Sequence, residues 1–144
     1  MIRLTAQGCD YIESWEGCKL HEYPDVMGNP TIYIGHLIIP GETFNYTEEE
    51  GRAIFDKDIE ISEHAAAKML EVAINDNQYL AFVDMVFNAG IGRLEHSETL
   101  ALINSGADKE TVATLIEKAF ITANGIVVEQ LKERRKADAN LWRV

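Results

Sequence analysis

Two carboxylic acids and a hydroxyl, Glu16, Asp25 and Thr31, stand close together early in the chain. Eight residues separate the first two and five separate the second pair. Brought to the walls of a groove, these side chains suit hydrolysis of a glycosidic bond. One carboxyl protonates the leaving oxygen, the other serves as base or charge stabiliser, and a hydroxyl positions water. Each residue also has a plainer reading. A glutamate before a helix-stopping glycine and an aspartate after a proline are common surface features, and spacing alone does not separate the two.

The elements that must hold these residues can be read around them. Thr5 can cap a first helix in which Leu4, Gly8, Tyr11, Ile12 and Trp15 recur at helical steps, and Gly17 is placed to end it. Glu16 is then the last helical residue, at the dipole end that favours a protonated acid. From Cys18 to Ile39 the period changes. The run YPDVMGNPTIYIGHLII has a Gly-Asn-Pro turn between short extended stretches, which predicts an antiparallel sheet of two or three strands carrying Asp25 and Thr31. Thr47 and Glu50 form a capping signal for a long helix, with a break expected near Ile61 and Ser62. NQYLAFVDMVFNAG is apolar on most faces and reads as a buried central helix ended by Gly90. Shorter helices follow up to Gly106 and from the cap Asp108, and VVEQLKERRKADANLW closes the chain.

The expected fold class is α+β, with a small β-hairpin lobe joined by a long helix to a helical lobe. All 144 residues form one domain in this reading. The first helix plus β lobe cover roughly 14–60, and the helical lobe covers roughly 61–144, packed with helix 4–16. A cleft between two such lobes is a natural ligand site.

Composition narrows the partners. The net charge is −11, from 24 acids against 13 lysines and arginines, which argues against nucleic acid and against an anionic membrane surface. No apolar run approaches the roughly 20 residues that span a bilayer, and the start of the chain carries no apolar signal region. Cys9 and Cys18 read as free thiols, and no spacing suggests a metal site.

Residues 15–36, WEGCKLHEYPDVMGNPTIYIGH, resemble the N-terminal signature of phage-type lysozymes, glycoside hydrolase family 24. Glu16-Gly17, Leu20, Tyr23, Asp25, Gly28, Thr31-Ile32 and Gly35-His36 fall on that pattern without a gap. FVDMVFNAGIG, ALINSG and LKERRKADANLW resemble later stretches of the same family, so the likeness spans nearly the whole chain.

The resemblance implies a lysozyme-like fold and a muramidase that needs no cofactor or metal. Its substrate would be the β-1,4 bond between N-acetylmuramic acid and N-acetylglucosamine in bacterial peptidoglycan. Glu16 would be the general acid, and Asp25 and Thr31 would handle the water. Tyr33, Gly35, His36 and Asn88 would border the sugar, although a structural hydrogen-bonded role at the hairpin base is favoured for His36. Asn88 is equally readable as a helix cap. Arg134 and Arg135 would orient Glu16 from the closing helix. Trp15 and Trp142 read as core. The protein is expected to be a monomer, made in the host bacterial cytoplasm and released to the wall without inserting in the membrane, as a phage endolysin for host lysis.

The chain departs from the pattern at Tyr33, where the family usually has glycine, and at Glu98, Ala123 and Gln130. A tyrosine at position 33 could narrow the cleft, stack on a sugar, or point away. The alternative reading is therefore a catalytically weakened module that binds peptidoglycan or acts as a scaffold or regulator. A lytic transglycosylase is the third reading, disfavoured by the presence of both Asp25 and Thr31.

Overall fold

The protein is seen in a computed structural model that describes residues 4–144. Helix α1 (Ala6–Glu16) leads into a three-stranded antiparallel sheet, β1 (Lys19–Pro24), β2 (Pro30–Tyr33) and β3 (His36–Leu37), in the order β1-β2-β3. Helix α2 (Glu48–Met69) runs from this sheet to the helical part. There follow α3 (Asp76–Ala89), α4 (Ile91–Glu95), α5 (Glu98–Asn104), α6 (Lys109–Ile116), a two-stranded hairpin of β4 (Thr122–Ala123) and β5 (Ile126–Val127), and α7 (Glu129–Arg143). The α+β architecture is as the sequence predicts.

Local signals explain the boundaries. Thr5 accepts a hydrogen bond from the Gly8 N–H at 3.0 Å, and Gly17 ends α1 at φ +67°. Thr47, Ser97 and Asp108 cap α2, α5 and α6 in the same way. Three glutamates in the first turn of α2 face the positive end of its dipole.

One expectation needs correction, and one hairpin is added. Helix α2 has no break at Ile61 and Ser62; it is continuous for 22 residues. The propensity cost of one β-branched residue and one serine is only about half a kcal/mol each. Ser62 is buried against the core, and nearby Glu63 ties the helix to Tyr79 by a 3.0 Å hydrogen bond. The β4–β5 hairpin, in a stretch the sequence reading leaves unassigned, is turned by Asn124 and Gly125 at φ +53° and +78°. This is the paired left-handed backbone of a type I′ turn, and the Asn-Gly dipeptide signals it.

The core gathers around α3. Tyr79 and Ala81 through Val86 are all buried, joined by Ile12, Phe55, Ile59, Ile103, Val112, Ile116 and Trp142. Cys9 and Cys18 are free thiols. Among the described residues no helix is long and apolar enough to cross a membrane.

Tyr33 sits at φ +58°, a left-handed conformation that glycine adopts far more readily than tyrosine, in keeping with the glycine that the resemblance leads one to expect there. Its ring points away from any cleft and is fully buried. The phenol donates to Glu50 Oε2 at 2.5 Å and accepts from the Tyr46 N–H at 2.9 Å. The ring lies against Gly51, where an added Cβ would approach it to 2.8 Å. Tyr33 therefore has no face to offer a sugar, which corrects its assignment to the substrate rim.

His36 is likewise withdrawn from the rim. It is 8% exposed, with Nδ1 2.8 Å from Asp58 Oδ2 on α2 and Nε2 3.0 Å from Glu42 Oε1. The structural role is the one observed: the ring clamps β3 to α2 and to the loop after the sheet.

Two tests follow from this packing. Tyr33→Gly relieves roughly 1 kcal/mol of backbone strain but leaves an aromatic-sized void, which costs about 3–5 kcal/mol. A lower denaturant midpoint is expected, and an unchanged or higher one would refute the packing account. The hydrogen bond to Asp58, aided by Glu42, pushes the His36 pKa up from 6.5 to about 9. A group raised on folding stabilises fully below its unfolded value and loses that contribution as pH climbs through the folded one. The thermal midpoint should fall between pH 6.5 and 9 in the native protein, and His36→Gln should flatten that fall.

Candidate active site

Glu16, the last residue of α1, owes its position to two contacts. Its Oε1 accepts from Arg134 Nη1 at 2.8 Å. Its other oxygen lies against Gly35 in the β2–β3 turn, where an added Cβ would come within 2.7 Å of Oε2. Gly35 also has φ +67°, so both the backbone and the neighbouring carboxylate exclude a side chain. The Glu16 side chain is left 14% exposed, opening on a cavity of about 250 Å³.

Arg134 is the hub behind that acid. It is 3% exposed, and it donates from Nε and Nη2 to Asp84 on α3, with Nη2–Oδ1 at 2.7 Å. Burial works against its charge, but Asp84 and Glu16 outweigh burial and the net shift is upward, so the guanidinium stays a cation. Arg135 does not reach Glu16. It turns to Asn88, donating to Oδ1, and to Asp138, with Nη1 3.1 Å from Oδ2 in a fully buried pair whose geometry is too poor for a hydrogen bond. Burial first, then the charge of Asp84, drive the Asp138 carboxyl well above the usual carboxylate range. Tyr11 donates to Asp138 Oδ1 at 2.8 Å. Asp84 and Asp138 escaped the sequence reading. An acid inside the otherwise apolar run FVDMVF was the available signal, because a buried charge demands a partner.

Asp25 begins the turn after β1 and borders the same cavity as Glu16. Its Oδ1 accepts from the N–H groups of Met27 at 2.9 Å and Asn29 at 2.8 Å. Backbone bonds between Asp25 and Asn29 and between Gly28 and Asp25, both 2.9 Å, close the turn. The carboxylate is thus fixed on a rigid hairpin tip. Thr31 is placed differently from expectation. It is 4% exposed, it does not line the cavity, and its hydroxyl donates to the Asn29 carbonyl at 2.9 Å. It braces the turn that holds Asp25.

The structure therefore brings Glu16, Asp25, Gly35, Asn88 and Arg134 to one cavity. Thr31, Tyr33, His36 and Arg135 lie outside its lining. Trp15, expected in the core, borders the cavity, with the Arg134 guanidinium 6.0 Å from its ring centre. Lys19, Tyr23, Phe87, Arg93, Phe120 and Gln130 complete the walls. Among the described residues no cluster of three or more histidines, cysteines or acids is arranged to hold a metal.

A helix-end acid bordering a cleft between a small sheet and a helical lobe defines a lysozyme-like glycosidase. The model of the phage lysozyme family matches residues 13–138, and the chain belongs to that family, which makes it a peptidoglycan hydrolase. The SAR-endolysin of Bacteriophage PS119 is 32% identical over 132 residues, 88% of this chain and 77% of that one. The endolysin from Escherichia coli O157:H7 phage FAHEc1 superposes with a TM-score of 0.82 at 28% identity, over 98% of this chain and 93% of that one. The muramidase domain of SpmX from Asticaccaulis excentricus shares the fold, with a TM-score of 0.85 at 24% identity over 100% and 99% of the two chains.

The contact between Gly35 and Glu16 gives a sharp test. Gly35→Ala must displace the acid, and a misplacement of about 1 Å costs roughly a hundredfold in turnover. Gly41 has φ +91° in open surroundings. Gly41→Ala should carry the backbone strain alone and keep its activity. Reducing-end release from peptidoglycan measures both, and equal losses in the two variants would reject the positional role.

Proposed function

We propose that this chain is a muramidase that hydrolyses the β-1,4 bond between N-acetylmuramic acid and N-acetylglucosamine, acting on the wall after release from a bacterial cytoplasm. Glu16 is the general acid. Asp25, bordering the same cavity from the hairpin tip, is the base that takes a proton from the attacking water. Thr31 acts on the reaction through the turn, by fixing Asn29 and so Asp25. Gly35 lets the acid stand where it does, and Asn88, oriented by Arg135, offers its amide to the sugar. The protein works as a monomer without a cofactor.

The observation that carries this reading is the pairing of Glu16 with Arg134, itself anchored on buried Asp84. A buried cation and a buried acid spent on orienting one carboxylate at a cavity mouth make little sense as surface decoration, and much as preorganisation of a reacting group. The alternative of a weakened, binding-only module leaned on Tyr33 narrowing the cleft and on an altered rim at Glu98, Ala123 and Gln130. The burial of the Tyr33 ring removes the first of these supports, and Gln130 remains in the cavity wall.

Glu16→Gln keeps the size and the hydrogen-bonding capacity of the side chain but removes its transferable proton. It should lower release of reducing ends by at least about a hundredfold while leaving the unfolding midpoint close to native. Products from the native protein should carry the mass of one added water. Full activity in the variant, or anhydro-sugar products, would overturn the assignment.

A further inference from the structure

The described arginines nearly all have carboxylate partners. Arg52 pairs with Glu13, Arg134 with Glu16 and Asp84, Arg135 with Asp138, and Arg143 with Glu110 and Glu117. Arg93 makes no ion pair among the described residues, in a chain where acids outnumber bases by 24 to 13. It stands exposed on α4, and its guanidinium carbon lies 5.1 Å from the centre of the Phe120 ring. Phe120 itself holds a left-handed backbone, φ +55°, unusual for a bulky residue and typical of functional positions. Both residues line the cavity that Glu16 and Asp25 border.

A second cation faces the same space. Lys19 Nζ lies 4.1 Å from the centre of the Tyr23 ring, again with no acid paired to it among the described residues. Stacking on an aromatic face positions a cation without neutralising it. The acids nearby are already engaged: Glu16 by Arg134, and Asp25 by the N–H groups of its own turn. On its far side Arg93 borders a shallow depression that contains Glu98 and Lys118, and it forms no ion pair with Glu98. Lys19 lacks an ion pair as every other described lysine does, so Arg93, the described arginine without one, is what marks the cleft for a ligand bearing negative charge.

This inference rests on the reading of the cleft as a peptidoglycan site. The sugars of that polymer are neutral except through the lactyl arm of N-acetylmuramic acid, which carries either its own carboxylate or those of an attached peptide. The planar fork of arginine matches a carboxylate better than an ammonium does. We propose that Arg93, braced on Phe120, binds a carboxylate carried on that lactyl arm and so selects muramic-acid strands over neutral glycans.

The test is equilibrium binding, measured by calorimetry on the Glu16→Gln protein so that nothing turns over. Three probes are compared: a purified disaccharide-peptide, the same compound with its carboxyls converted to amides, and the peptide-free disaccharide with its lactyl carboxylate free. Amidation should weaken binding roughly tenfold. Arg93→Gln should weaken binding of the native compound by the same factor, with no further loss on the amidated one. A peptide-free disaccharide that binds like the native compound shows that its lactyl carboxylate can take the place of the peptide's; one that binds like the amide shows that only the peptide carboxylates reach Arg93. Equal affinity for native and amidated compounds, or a loss in Arg93→Gln that is the same for both, would overturn the proposal. Absence of reducing-end release by the native protein is a separate result and would sink the hydrolase reading alone, because the binding comparison needs no turnover.

Discussion

A guanidinium at 3% exposure can exist only if acids meet it, and Arg134 meets two from different parts of the chain. Asp84 comes from the middle of α3, Glu16 from the end of α1, and Arg134 from α7. This one cation therefore ties three helices distant in sequence to a common point. Its desolvation has to be offset by good geometry on every donor, and three of its nitrogens are used. The arrangement of Arg135, Asp138, Tyr11 and Asn88 continues the same layer. Burial and the neighbouring charge of Asp84 both push the Asp138 carboxyl upward, while Arg135 works against that rise.

The sheet answers a different requirement. It must present Asp25 rigidly on a short loop, where loops are ordinarily mobile. The turn does so by using its own carboxylate as the acceptor for two of its N–H groups, while Thr31 ties the Asn29 carbonyl from β2. His36 and Tyr33 fasten the sheet to α2 from behind. The small lobe is held to the long helix by these polar contacts and by the buried Tyr33 ring, while Ile34 joins the main core.

Much of this was legible in the residues. Helix starts at Thr5, Thr47, Ser97 and Asp108 follow from side-chain chemistry that acts within three residues, and Gly17 and Gly90 stop helices for equally local reasons. The signature from Glu16 to His36 pointed to the two carboxylates that border the cavity. Illegible were the features that depend on which face meets which. Whether Tyr33 faces the cleft is decided by a positive φ and by the space above Gly51, neither of which periodicity reports. The partners of Asp84 lie 50 and 54 residues away by number, at Arg134 and Asp138, so only its misfit in an apolar helix announced it. The Asn124-Gly125 turn was a local signal that the flanking helices overshadowed.

The contact between the Tyr33 ring and Gly51 has an evolutionary reading. The phenyl group occupies the volume into which any side chain at position 51 would grow. The two positions are consequently epistatic: while the aromatic ring is present, 51 is closed to every residue but glycine, and it opens only if 33 becomes small. Directed evolution of the sheet would have to vary both sites together.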